Sequence, residues 1–243
     1  MEFLTERFHK AASYSSLNTY RSAIAGPDLA QDFRLHRFSR GVYMLRPSLP
    51  KYQHTWDPGV VLNCLKQLKN SEISLELLTQ KTVTLLALAT GQRLQTLTLI
   101  EIPFICRSDT KIETAIPKRI KTSARNKPQP VLSLPFLNSD PEICVKGREE
   151  SILITYKKPI HNATTQTVSR WIKIILGKSG VDITKFSGYS TRHASTSAAS
   201  RKGLNFDTIR LAAGWSANSK IFATVYNRPL LPPQSFDEAV LRS

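Results

Sequence analysis

Acidic residues are scarce in this chain of 243. Eighteen Asp and Glu stand against 34 Lys and Arg, giving a formal net charge of +16 and a pI of about 10. A fold bears that self-repulsion more easily when a polyanion neutralises it, and nucleic acid is the commonest such partner. A merely soluble cationic domain is the other reading of the charge. Cysteine is scarce as well. Cys64, Cys106 and Cys144 are odd in number and lack CxxC spacing, which argues against a zinc knuckle and against a disulfide framework. A reducing intracellular compartment follows as the simple inference. The five histidines make no HxxxH or HExxH pair, so no metal is expected. No apolar run reaches membrane-spanning length, and the opening MEFLTERFHKAAS has no signal-peptide core. The expected location is therefore the nucleus or the cytosol, with no membrane partner. No G-x-S-x-G elbow occurs, which leaves a Ser-His hydrolase built on Ser190, Ser195 and His193 remote. Internal repeats and low-complexity tracts are absent too.

What is present reads as a globular chain. Hydrophobic residues make up 41% and charged residues 21%, enough for one full-sized domain with a short appendage. In residues 15–26, Ser15 or Ser16 is placed to cap a short helix ending near Gly26. The Pro-punctuated RPSLPKYQHTWDPG follows as an extended connector, and a boundary is expected there. The segment before it is too short to stand alone and reads as the tail of something larger, or an arm. From Val60 onward, VVLNCLKQL and SLELLTQKTVTLLALAT carry apolar residues at helical spacing, and Gly91 interrupts them. KIETAI and QPVLSLP read as strands flanking the basic stretch PKRIKTSARNK, and ILITY as a further short strand. TTQTVSRWIKIILGKSG reads as a helix capped by Thr164 or Thr165 and closed at Gly177 or Gly180. The last third is helical: TRHASTSAASRKG, then NFDTIRLAAG capped by Asn205, then a helix capped by Ser216 that carries Tyr226 and stops before Pro229. The fold class expected is mainly α with a small antiparallel sheet (α+β).

Breaking a phosphodiester without a metal needs a nucleophile, cations to balance the pentavalent phosphorane, and an acid for the leaving oxygen. Guanidinium suits the second task, because its planar fork binds two phosphate oxygens and keeps its charge. A phenol titrates near pH 10 and must sit among positive charges to attack at neutral pH. Arg93, Lys121, Arg192 and Tyr226 supply this set, although each taken singly is an ordinary surface or core residue.

Their contexts carry a resemblance. ATGQRLQTLTLIEI, GYSTRHASTSAASRKG and LAAGWSANSKIFATVYNRP occur in the order of the tyrosine recombinase boxes, with RIKTSARNKPQPVLSLP between the first two. Over roughly residues 60–230 the chain resembles the catalytic domain of that phage-integrase-type family. The STRHAS wording and the Asn-Arg-Pro after the tyrosine are closest to its eukaryotic crypton-like and DIRS-like mobile-element branch. The resemblance implies a truncated core-binding segment and connector in residues 1–50, the catalytic domain in 51–230 and a tail in 231–243. It implies DNA cleavage and rejoining through a 3′-phosphotyrosyl intermediate on Tyr226, free of metal, ATP and small-molecule cofactors, in site-specific recombination or DNA integration. Arg93 and Arg192 would clamp the non-bridging oxygens. Lys121 would protonate the 5′ oxygen, with Lys118 and Lys127 near enough to compete for that role. The Trp215 indole N–H would bond the phosphate, and His193 would contact phosphate or act structurally.

Three positions depart from the family pattern. Tyr189 stands where a histidine opens the second box, and Thr96 where an acid follows the first arginine. The stretch from Trp215 to Tyr226 is longer than the commoner form. An active but slower enzyme is expected. A type IB topoisomerase would share the chemistry, and a domesticated, non-catalytic DNA-binding regulator would share the fold.

Residues 107–130 hold seven Lys or Arg against two acids. Lys118, Arg119, Arg125 and Lys127 there, with Arg170 and Lys173 on a later helix, are the expected contacts to double-stranded DNA; Trp171 between the last two fits a core position better than a groove-facing one. Strand exchange implies a homotetramer on DNA. LLPPQSFDEAVLRS after the nucleophile is either a segment passed to a neighbour or a frayed tail.

Overall fold

The computed structural model describes residues 1–24, 26, 31–47, 50–123, 125, 129–144, 162–216 and 219–230. The chain packs as two units, Met1–Lys51 and Tyr52–Ser243.

Among the described residues the first unit holds three helices: α1 (Glu2–His9), α2 (Tyr14–Ile24) and α3 (Phe33–Leu45). Leu4, Leu17, Leu35 and Val42 form their buried cluster, with Phe8, Ala12, Tyr14 and Phe38 packed around it. The sequence reading anticipates α2 alone, from its serines and its Gly26 stop; each of the three helices buries only one or two residues, so periodicity marks none of them. The capping expectation also needs correction. Ser15 and Ser16 lie inside α2, and it is the Ser13 hydroxyl that accepts from the Ser16 N–H at 3.1 Å. At α3, the Asp32 carboxylate takes the Arg34 N–H at 2.8 Å, a capping bond that sets the helix start.

The second unit follows the expected order. Asp57 and Pro58 start α4 (Pro58–Gln67), and Ser74 caps α5 (Leu75–Thr90). A four-residue helix, α6 (Leu94–Leu97), comes directly after Gly91. The strands β1 (Ile105–Arg107), β2 (Lys111–Ala115) and β3 (Val131–Pro135) pair antiparallel in the order β1-β2-β3, with Ile112 opposite Leu134 and Thr114 opposite Leu132. The sequence reading anticipated β2 and β3; β1 was missed because three residues carry too little alternation to register. ILITY lies outside the described residues.

Three further helices are α7 (Thr165–Lys178), α8 (Ser190–Arg201) and α9 (Phe206–Ala212). Thr164 is the cap of α7, accepting from the Thr167 N–H at 3.2 Å, and Asn205 that of α9, accepting from the Thr208 N–H at 2.7 Å. The helix expected to carry Tyr226 is instead a single π-turn, Phe222–Tyr226. Its start is bonded by the Ser219 hydroxyl, which accepts from the Ile221 N–H at 3.3 Å, and not by Ser216. The core joins α4, α5, α7 and the sheet through Leu65, Val83, Leu86, Leu97, Ile112, Leu132, Ile172 and Ile175. Trp171 is buried within it, as expected. The fold class is therefore α+β, mainly helical with one small antiparallel sheet. No described helix is long and apolar enough to cross a membrane.

Candidate active site

The site forms where two chain reversals, at Gly91 and at Gly214, meet. Gly91 ends α5 in the left-handed region at φ +56°, a conformation that side chains resist. A Cβ there would lie 3.2 Å from the Thr196 methyl on α8, so the turn is pressed against that helix. The Gly91 carbonyl accepts from Arg192 Nη1 at 3.0 Å. Next along the chain, Gln92 Nε2 donates to the Ala212 carbonyl at 2.6 Å. This ties the first turn to the end of α9, just ahead of Trp215. Gly214 there has φ +71°, and a Cβ on it would meet Gln92 Oε1 at 2.9 Å. Arg93 follows Gln92 as the half-buried first flank of α6.

Helix α8 is built of small residues, and this lets it lie deep in the unit. Arg192, His193, Ala194, Thr196 and Ser197 on it are all buried. Its hydroxyls are satisfied locally, Thr191 donating to the Gly188 carbonyl at 2.7 Å and Thr196 to the Arg192 carbonyl at 2.6 Å. The guanidinium of Arg192 stacks over Trp215 at 4.0 Å and over Tyr226 at 5.2 Å. The imidazole of His193 lies flat on the Tyr226 ring, 4.2 Å between centroids, and Trp215 approaches the same ring at 4.9 Å. Three residues from two separate stretches, Arg192 with His193 and then Trp215, thus surround one phenol.

The electrostatics are those of a site short of negative charge. Arg192 is 4% exposed, and its Nε and Nη2 have no hydrogen-bond partner; neither does Trp215 Nε1. Burial first, and then the charge of Arg93, push the Arg192 pKa down to about 10. The phenol of Tyr226, through its charge and a hydrogen bond to the guanidinium, opposes that shift. Buried N–H groups left unpaired on a cation fit an anion as ligand. Among the described residues, no group of three or more His, Cys, Asp or Glu is placed to hold a metal ion.

The other expected residues lie around this cluster. Lys121 is exposed in the connection between β2 and β3. Its neighbours Ile120, Thr122 and Ser123 line one wall of a cavity of about 530 Å³, and Gly214 and Trp215 line another. Tyr189 stands at the start of α8, 51% exposed, and no hydrogen bond or ring contact ties it to the cluster among the described residues. Thr96 is buried in α6. Arg119, Arg125, Arg170 and Lys173 are exposed, while Lys118 is paired with Glu101 at 2.6 Å. Lys127 lies outside the described residues, as does the tail from Leu231.

Sequence reasoning missed four contributors. Gln92 was passed over as a spacer, and Ser197 as one small residue among many. Tyr52 and Trp56 sit in the stretch read as a plain connector. The Tyr52 ring meets His193 edge-on at 4.9 Å, and its hydroxyl lies 2.9 Å from Ser187 Oγ. Trp56 Nε1 donates to Ser190 Oγ at 2.9 Å. The available signal was two aromatic residues in a Pro-rich stretch, a costly choice for a mere linker.

No protein-family model matches the chain, and no curated protein matches it. Solved structures do. A Tn1549 transposon integrase in complex with transposon right end DNA is similar over 99% of this chain and 82% of that one, at 14% identity and a TM-score of 0.58. A XerA recombinase is similar over 99% and 88%, at 13% identity and a TM-score of 0.51. A XerH site-specific recombinase bound to a palindromic difH substrate is similar over 78% of this chain, at 14% identity and a TM-score of 0.52. The chain spans about half the length of the XerH chains it matches. At such identities the likeness is one of fold, and the fold of this chain is that of the tyrosine recombinase catalytic domain.

Proposed function

We propose that the chain cleaves and rejoins DNA strands, with Tyr226 as the nucleophile. The observation that carries this reading is the enclosure of the Tyr226 ring by Arg192, His193 and Trp215, with three buried N–H groups on Arg192 and Trp215 unpaired. In the reaction, the phenol gives up its proton to solvent and its oxygen bonds to phosphorus as the bond from phosphorus to the 5′ oxygen breaks. Arg93 and Arg192 hold the non-bridging oxygens and balance the charge that builds on the phosphorane. The Trp215 indole N–H donates to the same phosphate. Lys121, on the connection that borders Trp215, delivers the proton to the departing 5′ oxygen. The 3′-phosphotyrosyl bond conserves the energy of the broken link, so reversal by another 5′ hydroxyl needs no ATP.

The reading extends to partner and setting. The substrate is double-stranded DNA, held by Arg119, Lys121, Arg125, Arg170 and Lys173, all exposed. Five phosphate contacts predict a slope of about −4.5 for log K against log salt concentration. Alanine at both Arg170 and Lys173 should flatten that slope by about 2 and weaken all duplexes alike, as fluorescence anisotropy would read. The proposed setting is integration of a mobile element, which the wording of the boxes supports, with four protomers on DNA, as strand exchange between two duplexes requires.

The experiment is a covalent trap. The chain and its Tyr226→Phe variant are incubated with nicked, randomised duplexes and run on denaturing gels. A shifted, protease-sensitive band from the natural chain alone is the expected result, and sequencing the trapped DNA then reads the site. Salt-sensitive binding with no band would favour the regulatory reading, to which Tyr189, exposed and apart from the cluster, already points. Products joined across two duplexes separate a recombinase from a topoisomerase.

A further inference from the structure

We propose that Ser197 is a positioning residue for the nucleophile, its one hydroxyl holding the backbone on both sides of Asn227, directly after Tyr226; the inference rests on Tyr226 being the nucleophile. Ser197 Oγ donates to the Tyr226 carbonyl at 2.7 Å and accepts from the Arg228 N–H at 2.9 Å. The side chain is fully buried. A hydroxyl can donate and accept at once, whereas a methyl can do neither and a thiol does both weakly.

The segment it holds is poorly restrained by its own structure. Phe222–Tyr226 is one π-turn, closed by the Asn227 N–H on the Phe222 carbonyl at 2.8 Å, and within it only Phe222 is buried. Isolated turns of this kind are weakly self-supporting. Arg228 adds bonds to the Val225 and Thr224 carbonyls, but these lie within the segment and move with it. Ser197 instead anchors the segment to α8. His193 lies four residues earlier on that helix, on the same face, and stacks on the Tyr226 ring. One helix therefore grips the nucleophile by ring and by backbone, and the same helix carries Arg192. Phosphate clamp and attacking oxygen share one rigid frame, which is what in-line attack requires.

The test has two readouts on the full chain. The first labels all tyrosine rings with carbon-13 and records their resonances without DNA, with Tyr226→Phe used to assign the Tyr226 signal. In Ser197→Ala, and in Ser197→Cys, which keeps the volume, that signal should shift and broaden while those of the other tyrosines stay in place. The second measures single-turnover adduct formation on saturating nicked duplex. Both variants should be slowed about 10- to 100-fold, the scale of a displacement near 1 Å, with the Kd for DNA changed less than about twofold. Thr84→Val is the control, since it removes a buried hydroxyl bonded only to the Gln80 carbonyl within α5. An unmoved Tyr226 signal in either Ser197 variant, or slowing no greater than in the control, would overturn the proposal. If the natural chain forms no adduct while the Tyr226 signal responds as stated, the cleavage-and-rejoining reading fails and the backbone clamp stands.

Discussion

An Arg192→Met chain is expected to lose cleavage by about 10³-fold or more and yet to melt at a higher temperature than the natural chain. The loss of rate follows from removing a charged clamp on the phosphorane, where even one neutral donor is worth about 10²–10³. The gain in stability follows from the same burial. Arg192 satisfies one of its groups on the Gly91 carbonyl and leaves Nε and Nη2 without partners, with the charge of Arg93 nearby. Its folded pKa, about 10, lies below the unfolded value. The cation therefore costs stability at every pH below about 10, and that cost is relieved only as pH climbs from there toward the unfolded value. At neutral pH it is present in full. Methionine fills the space over Trp215 without the charge, and a gain of about 1 kcal/mol, roughly 2–4 °C in Tm, is the expected scale. Sulfate should raise the Tm of the natural chain by binding the unpaired N–H groups and leave the variant nearly unmoved. A variant that melts lower than the natural chain in sulfate-free buffer, or that responds to sulfate equally, would refute this account of the site.

That conflict between stability and chemistry also explains what the sequence disclosed and what it concealed. The grouping of Arg192, Trp215 and Tyr226, which the structure brings together, was legible because the boxes that carry them hold their order in the sequence. The strong elements were legible as well: α5, with apolar residues on nearly every side, and α7 and α9, whose Thr164 and Asn205 caps form as expected. The parts that support the site were not. Gln92, Tyr52 and Trp56 act through contacts more than a hundred residues away, and Ser197 through bonds 29 and 31 residues along the chain, and local periodicity carries no trace of such pairings. The Tyr226 turn was misread as a helix because a π-turn has the same composition; the wider turn is fixed by what it packs against, chiefly Trp215 on Phe222 and the Ser197 bonds. In the first unit each helix buries only one or two residues and no stripe develops, so α2 was legible only from its serines and its glycine stop, signals that α1 and α3 were not read to carry.

Lys81 should show the largest single effect on stability, about 3–5 kcal/mol lost on Lys81→Ala in urea unfolding at neutral pH. The side chain is fully buried in the middle of α5, an unusual place for an ammonium. It donates to the Leu68 carbonyl and reaches Glu142 Oε2 at 3.4 Å, and the same carboxylate oxygen accepts from the Asn70 N–H at 2.8 Å. One cation thus joins α5 to the α4–α5 turn and to the segment after β3. Alanine would strip the Leu68 carbonyl of its donor, take the cation from Glu142 and open a cavity, three costs at once. Lys81→Met keeps the volume of the stem and should lose only about 1–3 kcal/mol, mostly for the carbonyl. Glu142→Gln should cost less still, because that side chain is a third exposed and water can replace part of what it loses. The order Ala, Met, Gln is the discriminating result; equal losses would mean that packing, not the ion, holds the joint. The consequence reaches the site by way of α5, which ends at Thr90 and presents Gly91, Gln92 and Arg93 in succession. Adduct formation by Lys81→Met, measured well below its melting temperature, should match that of the natural chain, since a joint that still closes leaves the turn at Gly91 where α8 requires it.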